Sequence, residues 1–154
     1  MKEKTGNDKP FCESKLYVWG VDLDPAEVTS LFGMVPEKTY RRGDLKYPDS
    51  PAAAHYVHKG GAWRVCIDDL RKYTLDVTEQ LEYWCEILAH HEDAAKTLIA
   101  KGYELEVDCY ISEGTAVAVN LSVTLLQRLV QLNLNLSLFF VARRESGTAE
   151  KIIR

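Results

Sequence analysis

The stretch Tyr103 to Ile111, YELEVDCYI, alternates without a break. Leu105, Val107, Cys109 and Ile111 point one way, and Glu104, Glu106, Asp108 and Tyr110 point the other. Successive side chains leave a strand on opposite faces, so this pattern predicts a strand with one buried face and one acidic, wetted face. A sheet built on it has its apolar layer on one side only. Glu113-Gly114 then offers a tight turn into Thr115 to Leu121, which predicts an antiparallel hairpin between the two runs.

Working upstream, Asp76 to Glu79 has the spacing of a capping box, and Val77, Leu81, Trp84, Cys85 and Leu88 follow on one face of a helix ending near His90-His91. Ala94, Ala95, Leu98 and Ile99 continue as a second helix, stopped by Gly102. Before it, His55 to Ile67 has β character on both sides of Gly60-Gly61, a hairpin turn or a bulge, with a strand over at least Ala62 to Ile67. Met34 to Ala54, with Pro36, Gly43, Pro48 and Pro51, reads as a long loop holding at most a short edge strand near Thr39 to Arg41. Asp24-Pro25-Ala26-Glu27 starts a helix with an N-cap carboxylate and a first-turn proline; Val28, Leu31 and Phe32 give its apolar face and Gly33 its stop. Leu16 to Val21, LYVWGV, is a strand of the kind buried on both faces. Downstream, Ser122 caps a helix carrying Leu125, Leu126, Leu129 and Val130, and Leu134 to Val141 is the last strand. The order predicts an α+β fold: a ferredoxin-like two-layer sandwich with helices packed on one face of a mainly antiparallel sheet. Residues 15-142 form the single α+β domain, 1-14 read as a flexible leader and 143-154 as a flexible tail.

Composition agrees with one core. The chain has 154 residues, 46% hydrophobic and 27% charged, which excludes a disordered or fibrous protein. No stretch is apolar enough to cross a bilayer, and the polar start lacks the core of a signal peptide, so a cytoplasmic protein is expected. The net charge of −4 argues against direct nucleic-acid binding, which needs a basic footprint. The charge is uneven: residues 73-113 hold two Lys against ten Asp and Glu. Cys12, Cys66, Cys85 and Cys109 show no metal-ligand or redox spacing, and the latter three fall in apolar runs as small hydrophobes. No metal and no cofactor is expected.

The run from Leu16 through Asp22-Leu23-Asp24-Pro25, Val28-Thr29, Leu31-Phe32-Gly33-Met34, Pro36 and Arg42-Gly43, with Trp63 on a strand and the Leu105-Glu106-Val107 and Leu121-Ser122 segments, resembles small bacterial proteins of the family named domain of unknown function 4279. The resemblance spans roughly residues 15 to 142. It implies a compact bacterial α+β domain and supplies no reaction, cofactor or catalytic residue. By analogy of gene neighbourhood, small families of this kind suggest immunity proteins encoded beside toxins.

Phosphate-loop, dinucleotide and hydrolase motifs are missing, which argues against an enzyme. Adjacent His90 and His91 diverge on a helix and suit a helix end better than a metal. Asp22, Asp24, Asp68 and Asp69 are explained by caps and turns. Two groups remain as partner-binding candidates. The first is acidic: Glu104, Glu106 and Asp108 on the wet strand face, joined by Glu79, Glu82 and Glu86 of the preceding helix. The second is the basic, aromatic loop of Tyr40, Arg41, Arg42 and Lys46, with Lys38 beside it. Like charges at alternate strand positions repel, a cost that a basic partner relieves. The expected function is therefore non-enzymatic protein-protein interaction: a bacterial immunity protein neutralising a cognate toxin by filling its basic cleft. The alternative is a small-molecule or nucleotide-binding sensor in which the sheet face and the Tyr40-Arg41-Arg42 loop hold an anionic ligand beside Trp63.

Overall fold

The computed structural model describes residues 12–113 and 118–142. Five strands, β1 (Cys12–Gly20), β2 (Lys38–Tyr40), β3 (Gly61–Cys66), β4 (Glu104–Glu113) and β5 (Leu134–Ala142), form one sheet in the order β2-β3-β1-β4-β5. Five helices, α1 (Pro25–Phe32), α2 (Asp69–Thr74), α3 (Val77–His90), α4 (Glu92–Ala100) and α5 (Val123–Gln131), accompany it. The first four strands are antiparallel throughout in the ferredoxin-like order, and β5 is added outside β4 in parallel. The fold is α+β with a mainly antiparallel sheet.

β1 runs down the middle with alternating burial. Its Leu16 and Val18 meet Leu105 and Val107 of β4 and Trp63 of β3 under α1, α3 and α4, where Phe32, Leu81, Trp84, Leu88 and Leu98 complete the core. β1 starts at Cys12, so Cys12, Glu13 and Ser14 belong to the sheet and not to a leader; residues 1–11 and 143–154 lie outside the described residues. Asp24 accepts the Ala26 N–H, Pro25 opens α1, and Gly33 closes it at φ 64°, a left-handed conformation. Asp76 and Glu79 make the capping box of α3.

Three expectations are corrected. The hairpin from Tyr103–Ile111 into Thr115–Leu121 does not form: residues 118–121 are irregular, and the second edge of β4 is taken by β5, which arrives through α5 with Leu105 opposite Leu134. Gly114 and residues 115–117 of the expected turn and strand lie outside the described residues. Gly60-Gly61 is no hairpin turn. Gly61 opens β3 so close to the chain leaving β1 that a Cβ there would stand 2.3 Å from the Leu23 carbonyl oxygen. Finally, β1 is not buried on both faces: Tyr17 and Trp19 are half-buried on the side away from the helices.

Candidate functional site

The sheet face opposite the helices is the chemically rich surface. It is lined from β1 by Glu13, Lys15 and Tyr17, from β3 by Arg64, and from β4 by Glu106, Asp108 and Tyr110. On it is a recess of about 410 Å³ lined by Tyr17, Lys38, Tyr40, His58, Ala62, Arg64, Glu106, Asp108 and Phe139. The strand register explains the grouping: Tyr17 stands opposite Arg64 on one side and Glu106 on the other, and Asp108 lies opposite Ser137 of β5.

The recess is organised by its own contacts. The Tyr17 and Tyr40 hydroxyls are 2.7 Å apart, and the Tyr40 ring stacks on His58 at 3.6 Å between centroids. Burial, then the Tyr40 hydroxyl, pushes the Tyr17 phenol well above its ordinary pKa, so it stays protonated. Phe139 stacks on Tyr110 at 4.9 Å. Glu106 is bonded by the Ser137 hydroxyl. Burial, then the neighbouring Glu106 charge, raises the Asp108 pKa, against the weaker pull of Arg64 and Lys15.

Lys15 and Arg64 of this face are engaged, whereas Lys38 has no ion-pair partner among the described residues. Lys15 Nζ lies 3.4 Å from Glu13 and 3.7 Å from Glu37. Arg64 Nε lies 3.2 Å from Glu37 Oε2, within ion-pair range but off the line a hydrogen bond requires. Among the described residues, none of Glu104, Glu106 and Asp108 has an ion-pair partner.

Of the ten residues singled out from the sequence, Tyr40, Glu106 and Asp108 meet at the recess, and Glu104 continues the same face toward the start of β4. The others are elsewhere. Glu79, Glu82 and Glu86 lie on α3, whose opposite side packs on the buried face of β1, so the sheet separates them from Glu106 and Asp108; Glu79 is also occupied in the capping box. Arg41 and Arg42 turn back on Asp24 and Asp22 at 2.7 and 2.9 Å, and Lys46 sits exposed in the loop. Trp63 faces the core and cannot flank a ligand on the open face. The four aspartates do not cluster: Asp22 and Asp24 follow one end of β1, and Asp68 caps α2 beside the other. Sequence reasoning missed Tyr17, His58, Arg64 and Phe139. Carrying the in-out alternation of β4 across to β1 and β3 would have found Tyr17 and Arg64.

Other reactive groups are quiet. Burial, then Glu13, pushes the Cys66 thiol up to about 12, and the thiol donates to Glu13 Oε1 at 3.1 Å. Cys12, Cys85 and Cys109 are buried and free. Among the described residues no group of three or more His, Cys, Asp or Glu is placed to hold a metal ion, and no helix is long and apolar enough to cross a membrane.

Neither a comparison with curated proteins nor one with solved structures returns a match. A family model described as domain of unknown function (DUF4279) matches residues 11–140, from the start of β1 nearly to the end of β5. With four strands, nearly all of β5 and all five helices inside that match, the chain belongs to the DUF4279 family.

Proposed function

We propose that the chain is a non-enzymatic, protein-binding bacterial immunity protein that acts in the cytoplasm by laying the open face of its sheet over a basic cleft of a cognate toxin. The observation that carries this reading is the line of Glu104, Glu106 and Asp108 on a sheet face where, among the described residues, no helix covers them and none of the three has an ion-pair partner. Such carboxylates repel one another in the free protein, and an Arg or Lys side chain entering the recess relieves that repulsion while stacking on Tyr40 or Phe139. Encounter is steered by charge and weakens with salt.

The test uses the full chain and the product of a toxin gene found beside its own. A stable one-to-one complex is expected at low salt. The triple change Glu104→Lys, Glu106→Lys and Asp108→Lys should abolish it with little change in melting temperature. An absence of binding at low salt, or full binding by the triple variant, refutes the reading.

The size of the recess favours a second reading, since about 410 Å³ falls in the range of small-ligand sites. In that case the ligand is a small cation carrying a ring. A nucleotide phosphate is repelled by Glu106 and Asp108, and Arg41 and Arg42 are paired with Asp24 and Asp22 away from the recess. Saturable stabilisation by ring-bearing amines in a thermal-shift screen, removed by Asp108→Asn, would support this reading over the first.

A further inference from the structure

The two edges of the sheet are finished differently. β2 is three residues long, carries Lys38 and follows Pro36 and Glu37, the usual devices that stop an edge from pairing with another sheet. β5 is nine residues long, LNLSLFFVA, with no charge and no proline, and among the described residues nothing pairs with its outer side. Phe139, Phe140 and Val141 are 43%, 49% and 49% exposed.

The helix above this edge matches it. α5 packs against β5 and α3 and buries Leu125 and Leu129 in the core. Val123, Leu126 and Val130, set at three- and four-residue spacing, project from the other side, above the free edge; Val123 and Val130 are 71% and 79% exposed. At the chain's 27% charged content, about five of the eighteen positions of α5 and β5 would be charged, and Arg128 alone is.

We propose that the β5 edge and the outer flank of α5 form an interface with a second copy of this chain, β5 pairing antiparallel with its counterpart into a continuous ten-stranded sheet. A two-fold axis demands a surface complementary to itself, and an uncharged strand meets that demand without like charges facing each other. With the axis at Leu138, Phe140 stands opposite Leu136 of the other copy and Phe139 opposite Ser137, so the exposed aromatics gain cross-strand neighbours and the free backbone groups gain partners. Val123, Leu126 and Val130 then meet their counterparts across the axis. Such an arrangement leaves both open faces on the same side, so it stands whether or not these faces bind a toxin.

Sedimentation of the full chain across a wide concentration range tests the proposal, together with amide hydrogen exchange. A dimer is expected, with every second β5 amide protected only where the dimer is populated. Val123→Glu and Val130→Glu alter positions that the monomer leaves exposed, so folding should survive, as circular dichroism will report, while dimerisation is lost. A monomer at all concentrations overturns the proposal, including one whose β5 edge is protected by the chain's own residues 143–154. So does a dimer that both variants leave intact, or one that forms without protecting β5.

Discussion

Trp63 ties the two layers together through one side chain. Its ring is fully buried 5.7 Å from Phe32, and its Nε1 donates to Thr29 Oγ1 of α1 at 3.0 Å, so strand and helix share both an apolar contact and a hydrogen bond. Trp63→Ala is expected to lower stability by about 3–5 kcal/mol, measured by denaturant titration. Thr29→Val should cost about 1 kcal/mol, since it leaves the indole N–H unpaired. Asp108 behaves in the opposite sense. Its pKa is raised in the folded protein, so the fold favours the neutral carboxyl: the favourable contribution is full below the ordinary carboxylate value of about 3.9 and is lost as pH climbs through the raised value. Asp108→Asn should therefore stabilise the protein at pH 7 by less than about 1 kcal/mol, because the carboxylate is only partly withdrawn from water, and the gain should fade as pH drops through the carboxylate range. A melting-temperature series against pH for both proteins checks the sign.

Among elements, the contact of α3 with β1 depends on an amide. β3 stops pairing with β1 at Lys15, leaving the Ser14 N–H and Cys12 carbonyl without strand partners. Gln80 supplies them: its Oε1 accepts from Ser14 N at 3.1 Å and its Nε2 donates to Cys12 O at 2.7 Å, while Trp84 Nε1 donates to Ser14 Oγ at 2.8 Å. Gln80→Leu keeps the volume and strands two buried backbone groups, so a loss of about 2–4 kcal/mol is expected in the same titration. That polar link was illegible in the sequence, where a glutamine at a helical position reads as solvated. The parts that could be read were those written in short-range chemistry, namely the Asp24-Pro25 start, the Asp76–Glu79 box, the Ser122 cap and the alternation of β4. α2 was missed because no residue in it is buried, which leaves no apolar stripe to find. The false hairpin arose from a local turn signal overruled by a distant strand. The candidate site was half legible: Glu104, Glu106 and Asp108 follow from the pleat, but which loop and which strands face them is decided by strand order, on which periodicity is silent.

On the scale of the molecule, the sheet order sets both rigidity and history. β1 and β4 are flanked on both sides, so their amides should exchange only on global unfolding, whereas three-residue β2 should open locally first; native-state hydrogen exchange would rank them. The same order makes the earliest strand a central one. Cys12 pairs with Ile111, and Lys15 to Trp19 lie between β3 and β4, so a nascent chain holds Leu16, Val18 and Trp19 with no completed sheet until β4 has left the ribosome. At roughly 5–20 residues per second, synthesis keeps that apolar strand waiting for about 5–20 s. Chains stalled before β4 emerges should be cut readily by protease and retained by chaperones, and chains released after β5 should resist. The time between the emergence of β1 and that of β4 is thus the interval in which this protein is most exposed to aggregation in the cell.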